Sequence, residues 1–286
     1  MASRGKVTLL GFFSAIISVI FLAKKHYLPG IPHAVAKENY ERFKSLTYEG
    51  FRRLAGDESL SAYEKIGFPT SYREGKESFI FCDIESKLSN LRNKGRVILD
   101  IGPGCSELPR MMIELCERNE HTLLLVDSAE MLALIPDSTC ATKIAGRFPQ
   151  DCASVIEKYQ GRVHAIVIYS VLHYIFAESN IFEFLDRCLL LLDHSGEMLI
   201  GDVPNISKRK RFFSSPNGVR FHQEFTGTSE SPAVAFNTLE CGEIDDSVIL
   251  SLLLRARIAG FDAYVLPQAE SVPMANRRED ILIRRP

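Results

Sequence analysis

Nowhere in this chain do two cysteines stand in a C-x-x-C spacing, and their number, seven, is odd. That removes the usual framework of a zinc cluster or a disulfide-stapled scaffold. It points instead to a reducing compartment in which the thiols serve mainly as small buried apolar groups. An excess of charge is missing too, since 34 Lys and Arg stand against 36 Asp and Glu, a net −2 over 286 residues. So balanced a chain has no global field for a phosphate backbone, and no nucleic-acid partner is expected without a local basic patch. No internal repeat is present, and no histidine–carboxylate spacing suits a dedicated metal site.

What is present is apolar material, 46% of residues, enough for a sizeable core. Part of it is a leader. Residues 7–23 (VTLLGFFSAIISVIFLA) carry no charge, with Arg4 and Lys6 before them and Lys24 and Lys25 after. Seventeen residues lie at the lower limit of a membrane-spanning helix. A helix packed on the domain and a signal peptide are the alternatives. The Ala34-Val35-Ala36 triplet resembles a cleavage site but lies far beyond the apolar run. Residues 1–26 are thus expected to be an anchor and 27–94 a helical extension, with helices over 34–66 and 74–93.

From residue 95 the texture changes. Short apolar runs at 96–101, 121–126, 142–146, 163–169 and 197–201 alternate with amphipathic stretches at 106–118, 128–134, 150–159 and 178–193. Runs apolar on both sides, alternating with helices, predict an α/β fold: a mostly parallel sheet with helices on both faces. A helix over 248–259 and strands over 261–266 and 279–284 bring the sheet to seven strands. Residues 203–245 break the rhythm and read as an irregular insertion within a domain of 95–286.

Asp100-Ile-Gly-Pro-Gly104 closes the first strand. Two glycines allow a tight turn and close approach of backbone to a ligand. A dinucleotide fingerprint would want a third glycine where Glu107 stands. Asp100 would repel a pyrophosphate and favour a cationic ligand. The second strand closes on Asp127, followed by Ser128 and Met131, where a carboxylate can accept from both hydroxyls of a ribose. Both carboxylates also have a plain alternative as helix caps. Their joint place, at the carboxyl ends of adjacent strands, carries more weight than either residue.

These stretches resemble a known family. VILDIGPGCSEL is similar to motif I of class I S-adenosylmethionine (SAM) dependent methyltransferases, LLLVDSAEML to the acidic strand that follows, and HAIVIYSVLHYI to motif IV. LLLLDHSGEMLIGD resembles the next helix and strand. The resemblance covers residues 96–202 and extends to the C-terminal stretch. It implies a Rossmann-like class I methyltransferase fold with SAM as cofactor. Asp100, Gly102 and Gly104 would face its methionine end, Asp127 and Ser128 its ribose, and Met131, Arg147 and Phe148 its adenine, with Ser170 closing the site. Two departures stand out: Arg147 replaces the acidic residue common after the third strand, and His164 the one often opening the fourth.

Ser170-Val-Leu-His173 replaces the Asn/Asp-Pro-Pro-aromatic tetrad of enzymes that methylate nucleobase or glutamine nitrogens. An oxygen acceptor is therefore expected. His173 is the candidate base, because histidine titrates near neutrality, and a residue that only shapes the pocket floor is the alternative. Tyr174, Asn205, Arg209, Arg211 and His222 are candidate acceptor contacts. Lys208-Arg-Lys-Arg211 suits a phosphate, as in a nucleotide sugar or other phosphate-bearing metabolite or glycan precursor. GDVPNISKRKRFFSS and LPQAESVPMANRREDILI are similar to methyltransferases of bacterial surface-polysaccharide gene clusters. Ser71-Tyr-Arg-Glu-Gly-Lys-Glu77 reads as a lid over the cofactor or as a lead into a helix. With SAM made inside cells, the anchored catalytic domain is expected on the cytoplasmic side. A non-catalytic, membrane-associated SAM-binding regulatory or scaffolding protein is the alternative.

Overall fold

The computed structural model describes residues 46–238 and 240–286, together with residue 43. The expected leader at 7–23 and most of the extension before residue 46 lie outside the described residues. Within them, seven strands join in one sheet: β1 (Val97–Ile101), β2 (Thr122–Asp127), β3 (Ala141–Ala145), β4 (Val163–Tyr169), β5 (Leu192–Pro204), β6 (Asp262–Pro267) and β7 (Arg278–Arg284). Their order is β3-β2-β1-β4-β5-β7-β6. The first five pair in parallel, and β7 runs antiparallel to both its neighbours. From β1 the chain builds outward through β2 and β3, then returns to lay β4 on the other side. That reversal opens a crevice at the carboxyl ends of β1 and β4, where open α/β sheets bind ligands.

Alternation along each strand feeds two cores. Leu99, Leu124, Val126, Ile166 and Ile168 point to one face. Ile98, Leu123, Leu125, Ala165 and Val167 point to the other. The helices, in chain order, are α1 (Tyr48–Gly56), α2 (Ala62–Lys65), α3 (Thr70–Arg73), α4 (Glu77–Lys87), α5 (Glu107–Arg118), α6 (Ala129–Leu132), α7 (Ala153–Tyr159), α8 (Leu172–Glu178), α9 (Ile181–Leu191), α10 (Ile206–Phe213), α11 (Pro216–Thr226) and α12 (Asp246–Ile258). Among the described residues no helix is long and apolar enough to cross a membrane.

The long helix expected over 34–66 is broken within its described part. Asp57 accepts from the Ser59 backbone N–H at 3.0 Å, and Ser61 and Glu64 form a reciprocal capping box that starts α2 afresh. The expected irregular insertion is also corrected, because it contains α10 and α11. Asn205 caps the first with its side-chain oxygen, Ser215 caps the second, and Pro216 follows at a first-turn position that needs no N–H.

Buried charge ties the sheet to the N-terminal helices. Lys87 of α4 reaches Asp83 at 2.6 Å and Asp280 of β7 at 2.7 Å. The other Asp280 oxygen accepts from the backbone N–H of Asp202 at 2.9 Å and from Gln268 at 3.0 Å. Asp280 is fully buried, so its charge is tolerable only with these partners. Asp280→Ala would leave Lys87 with Asp83 alone and take the acceptor from the Asp202 N–H and Gln268. It is expected to cost about 3–5 kcal/mol in urea denaturation, against about 1 kcal/mol or less for an exposed carboxylate such as Glu58.

Candidate functional site

The crevice at the strand ends holds a cleft with about 990 Å³ of empty space, its open mouth included. That is the size range of small-molecule sites. Its floor is the turn after β1. Gly102 and Gly104 have φ of 71° and 68°, in the left-handed region. A Cβ on Gly102 would stand 2.7 Å from Val171, and one on Gly104 2.6 Å from Ile66. Side chains are thus excluded twice, by backbone conformation and by space.

Asp127 closes β2 at the edge of this turn. One carboxylate oxygen accepts from the Gly104 N–H at 3.2 Å and the other from the Ser128 N–H at 2.7 Å. Ser128 then caps α6 by accepting from the Met131 N–H. Burial pushes the Asp127 pKa up to about 6 against the pull of these two bonds. Asp100, one strand over, has no hydrogen bond and faces a small chamber behind the turn, bordered by Phe81, Met112 and Tyr169. Burial first, and the charge of Asp127 second, push its pKa up to about 8. The site therefore holds two carboxylates whose ionisation a cationic ligand would favour.

Arg147 and Phe148 line the cleft after β3. The Arg147 guanidinium pairs with Glu178 of α8 at 2.7 Å, while Asp151 accepts from the Arg147 backbone N–H at 2.8 Å. The residue that replaces the expected acid is therefore itself held by an acid. Tyr174 lines the same cleft and meets Phe51 edge to face at 4.8 Å. Ser170, with φ of 62°, lies beneath, and its Oγ donates to Asp202 Oδ2 at 2.5 Å.

His173 is placed elsewhere. It is absent from the cleft lining, it packs against Tyr174 at 3.8 Å, and its Nδ1 has no partner. Burial, and then the nearby Arg278, push its pKa down to about 3. An imidazole so disfavoured in its charged form is a weak proton acceptor. Asn205, Arg209, Arg211 and His222 also lie outside the lining. Buried Asn205 is engaged as the cap of α10 and donates to Asp246 and Glu279. Arg211 pairs with Asp246, Lys210 with Glu240, and Lys208 donates to the Arg278 carbonyl. Arg209 lies over the Phe213 ring at 5.4 Å. The basic run is thus one turn of helix whose cations point in different directions and are mostly taken by neighbours.

The sequence reading offered Ser71–Glu77 as a lid or a lead into a helix, but singled out none of the other residues that cover the cleft. Tyr48, Phe51, Ile66, Phe68 and Arg73, all N-terminal to the sheet, line it. Arg52 of α1 pairs with Glu130 at 2.6 Å, and the Tyr48 N–H donates to Glu178 at 3.2 Å, pinning α1 across the opening. Arg73, from the Ser71–Glu77 stretch, is 3% exposed. Its Nη2 reaches Ser170 at 2.5 Å and Asp202 at 3.4 Å, and its plane lies over Phe68 at 4.3 Å. Its Nη1 is buried without a hydrogen bond, as is Glu77 Oε1, 3.8 Å away. The available signal was aromatic and basic residues clustered just before the first strand.

No protein-family model matches the chain, and neither does any curated protein. Solved structures do. CurJ carbon methyltransferase aligns with a TM-score of 0.51 at 14% identity, over 95% of this chain and 70% of that one. An O-methyltransferase family protein from Burkholderia thailandensis aligns at 0.50 and 13%, over 88% and 69%. The plantazolicin methyltransferase BpumL, solved with a triazolic desmethylPZN analog and SAH, aligns at 0.50 and 14%, over 87% and 98%. At such identity the likeness establishes the fold alone. The chain has the Rossmann-like class I methyltransferase fold.

The raised carboxylates make stability depend on pH. Between the unfolded value of 3.8 and the folded values of about 6 and about 8, the folded state binds the extra protons. Stability of the ligand-free protein is therefore expected to fall as pH rises from about 4 to about 8, then level off. Asp100→Asn should flatten the upper part of that slope. Thermal denaturation of both proteins from pH 5 to pH 9 is the measurement, and parallel slopes would return Asp100 to an ordinary ionised carboxylate.

Proposed function

We propose that this protein is a SAM-dependent methyltransferase acting on a hydroxyl of a small molecule. The observation that carries the reading is Asp127 beside the Gly102–Gly104 turn in one cleft, with the raised Asp100 behind it, in a class I methyltransferase fold. The residues fit the group. Asp127 can accept from ribose hydroxyls, Met131 and Phe148 offer apolar surface for adenine, and Asp100 favours an ammonium. The orphaned Arg73 Nη1 suits a carboxylate. Bound SAM would supply an electrophilic methyl group carried on a sulfonium.

The chain's own work is positioning and proton handling. α1 and the α2–α3 stretch exclude water, and aromatic side chains confine the reacting partners. Ser170 suits acceptance of the acceptor's proton better than His173, because Ser170 lines the cleft and already donates to Asp202. The acceptor O–H would donate to Ser170 Oγ, whose own proton is shared with Asp202. Arg73 and Arg278 hold Asp202 Oδ2 in place, at 3.4 and 3.2 Å.

The finer acceptor class has less behind it. A sugar remains within this reading, but three of the four cations at 208–211 are engaged, which weakens a phosphate grip by that run. None of the three similar proteins above is described as acting on a polysaccharide. A non-catalytic SAM-binding protein is disfavoured by the Ser170 hydroxyl, which lines the cleft and is backed by the Asp202 carboxylate. Membrane attachment rests on residues 7–23, which lie outside the described residues, and the cytoplasmic side on where SAM is made; both belong to the sequence reading.

Calorimetry with SAM and SAH tests the cofactor. Asp127→Ala should weaken SAH roughly tenfold to a hundredfold, one or two charge-assisted hydrogen bonds being lost. Gly104→Val should abolish binding. Arg73→Gln should weaken SAH, yet leave methylthioadenosine, which lacks the amino-acid end, unchanged. Parental affinity in folded Asp127→Ala and Gly104→Val would overturn the reading. Transfer of labelled methyl from SAM to fractionated metabolites then identifies the acceptor.

A further inference from the structure

Helix α12 carries an unusual outer face, none of whose exposed residues lines the cleft. Leu250, Leu254 and Ile258 are 61%, 59% and 78% exposed. They stand four residues apart, so they form one ridge along the helix. The inner face of the same helix (Ile249, Leu252, Leu253 and Ala256) is fully used in the core. On the neighbouring helix α9, Phe182 and Leu190 are exposed as well. The two helices are joined by Arg255 and Asp186, whose two hydrogen bonds measure 2.9 and 2.5 Å.

We propose that this face is a two-fold interface, with a second copy of the chain seated on the α12 ridge. Three features select that occupant. The five side chains leave roughly 500 Å² of apolar surface uncovered, at the upper end for a monomer. Ser247, Ser251 and the Arg255 stem extend the face toward the ~800 Å² per partner of a stable interface. The ridge is also symmetric about Leu254. When two such ridges interdigitate at the common crossing near −50°, each helix contributes about three ridge residues. Leu254 then meets its own copy on the axis, and Leu250 meets Ile258 of the second copy, as an isologous contact requires.

Charge agrees with burial there. Arg255 is neutralised by Asp186, and Arg257 donates to the Ala263 carbonyl at 2.6 Å. Neither cation would enter the interface unpaired, and like copies would meet without net repulsion. An edge-to-edge sheet dimer through β6 is a poorer fit, because that edge strand ends at Pro267.

Sedimentation velocity on the full chain at micromolar concentration is the test. The expected mass is twice the 32.1 kDa of one chain. Leu254→Glu, which puts two carboxylates on the axis while keeping a good helix former, should shift the population to monomer. Unchanged thermal stability and SAH binding would show that the variant folds. Phe225→Glu, at an exposed aromatic away from the ridge, should leave the mass alone. A parent that sediments as a monomer overturns the proposal. So does a dimer indifferent to both Leu254→Glu and a Leu250→Glu/Ile258→Glu pair. A monomeric parent destabilised by Leu254→Glu would put another part of the same chain on the ridge, and equally overturns it.

Discussion

The carboxylate of Asp202 joins three stretches that lie far apart in the chain. It accepts from Ser170 after β4, from Arg73 of the N-terminal helices and from Arg278 of β7. Its own backbone N–H is held by Asp280. Asp202 sits at a φ of 58°, where the register between β5 and β7 shifts. A non-glycine residue there costs about 1–3 kcal/mol and persists only when its surroundings over-determine it. Here they do, because every contact is charged or charge-assisted and two of the partners, Arg73 and Asp280, are buried. The bulge sets the Asp202 side chain against Ser170 and Arg73, both of which line the cleft. The cover of the cleft then has a buried cation to close on.

That arrangement sets the electrostatics of the cleft. On the Asp202 side, two arginines offset one carboxylate. On the side of the glycine turn, buried Asp100 and half-buried Asp127 have no cation beside them, and both pKa values rise. The imbalance costs stability in the free protein and favours a cationic ligand at that end. One cleft thus has two electrostatically different ends, with aromatic walls between them. Class I methyltransferase folds carry many acceptors on similar sheets, and the difference lies in such local chemistry and not in the fold.

Much of this molecule was legible in the linear chain. The apolar runs at β1, β2 and β4 are buried on both faces, so they must appear as continuous hydrophobic stretches. Glycines with positive φ and a carboxylate at a strand end are local requirements, and local requirements leave local signatures. Hence Asp100, Gly102, Gly104, Asp127 and Met131 could be singled out before any geometry was known. α10 and α11 could have been read from Asn205, Ser215 and Pro216, but the basic and polar run between those caps hides an apolar face that is only partly buried.

Sequence determined the sheet, its glycine turn and the two carboxylates beside it, because each follows from hydrophobic period or backbone stereochemistry within a few residues. Tertiary structure alone decided which side chains meet. Arg73 reaches Ser170 across 97 positions and Asp202 across 129. His173 turns out of the cleft although it stands three residues from Ser170. The cations at 208–211 find Glu240, Asp246 and the Arg278 carbonyl. These partnerships depend on crossover direction, on the antiparallel insertion of β7 and on how α1 lies over the strand ends. None of those is encoded in the spacing of neighbouring residues, since long-range contact is a property of the packed sheet.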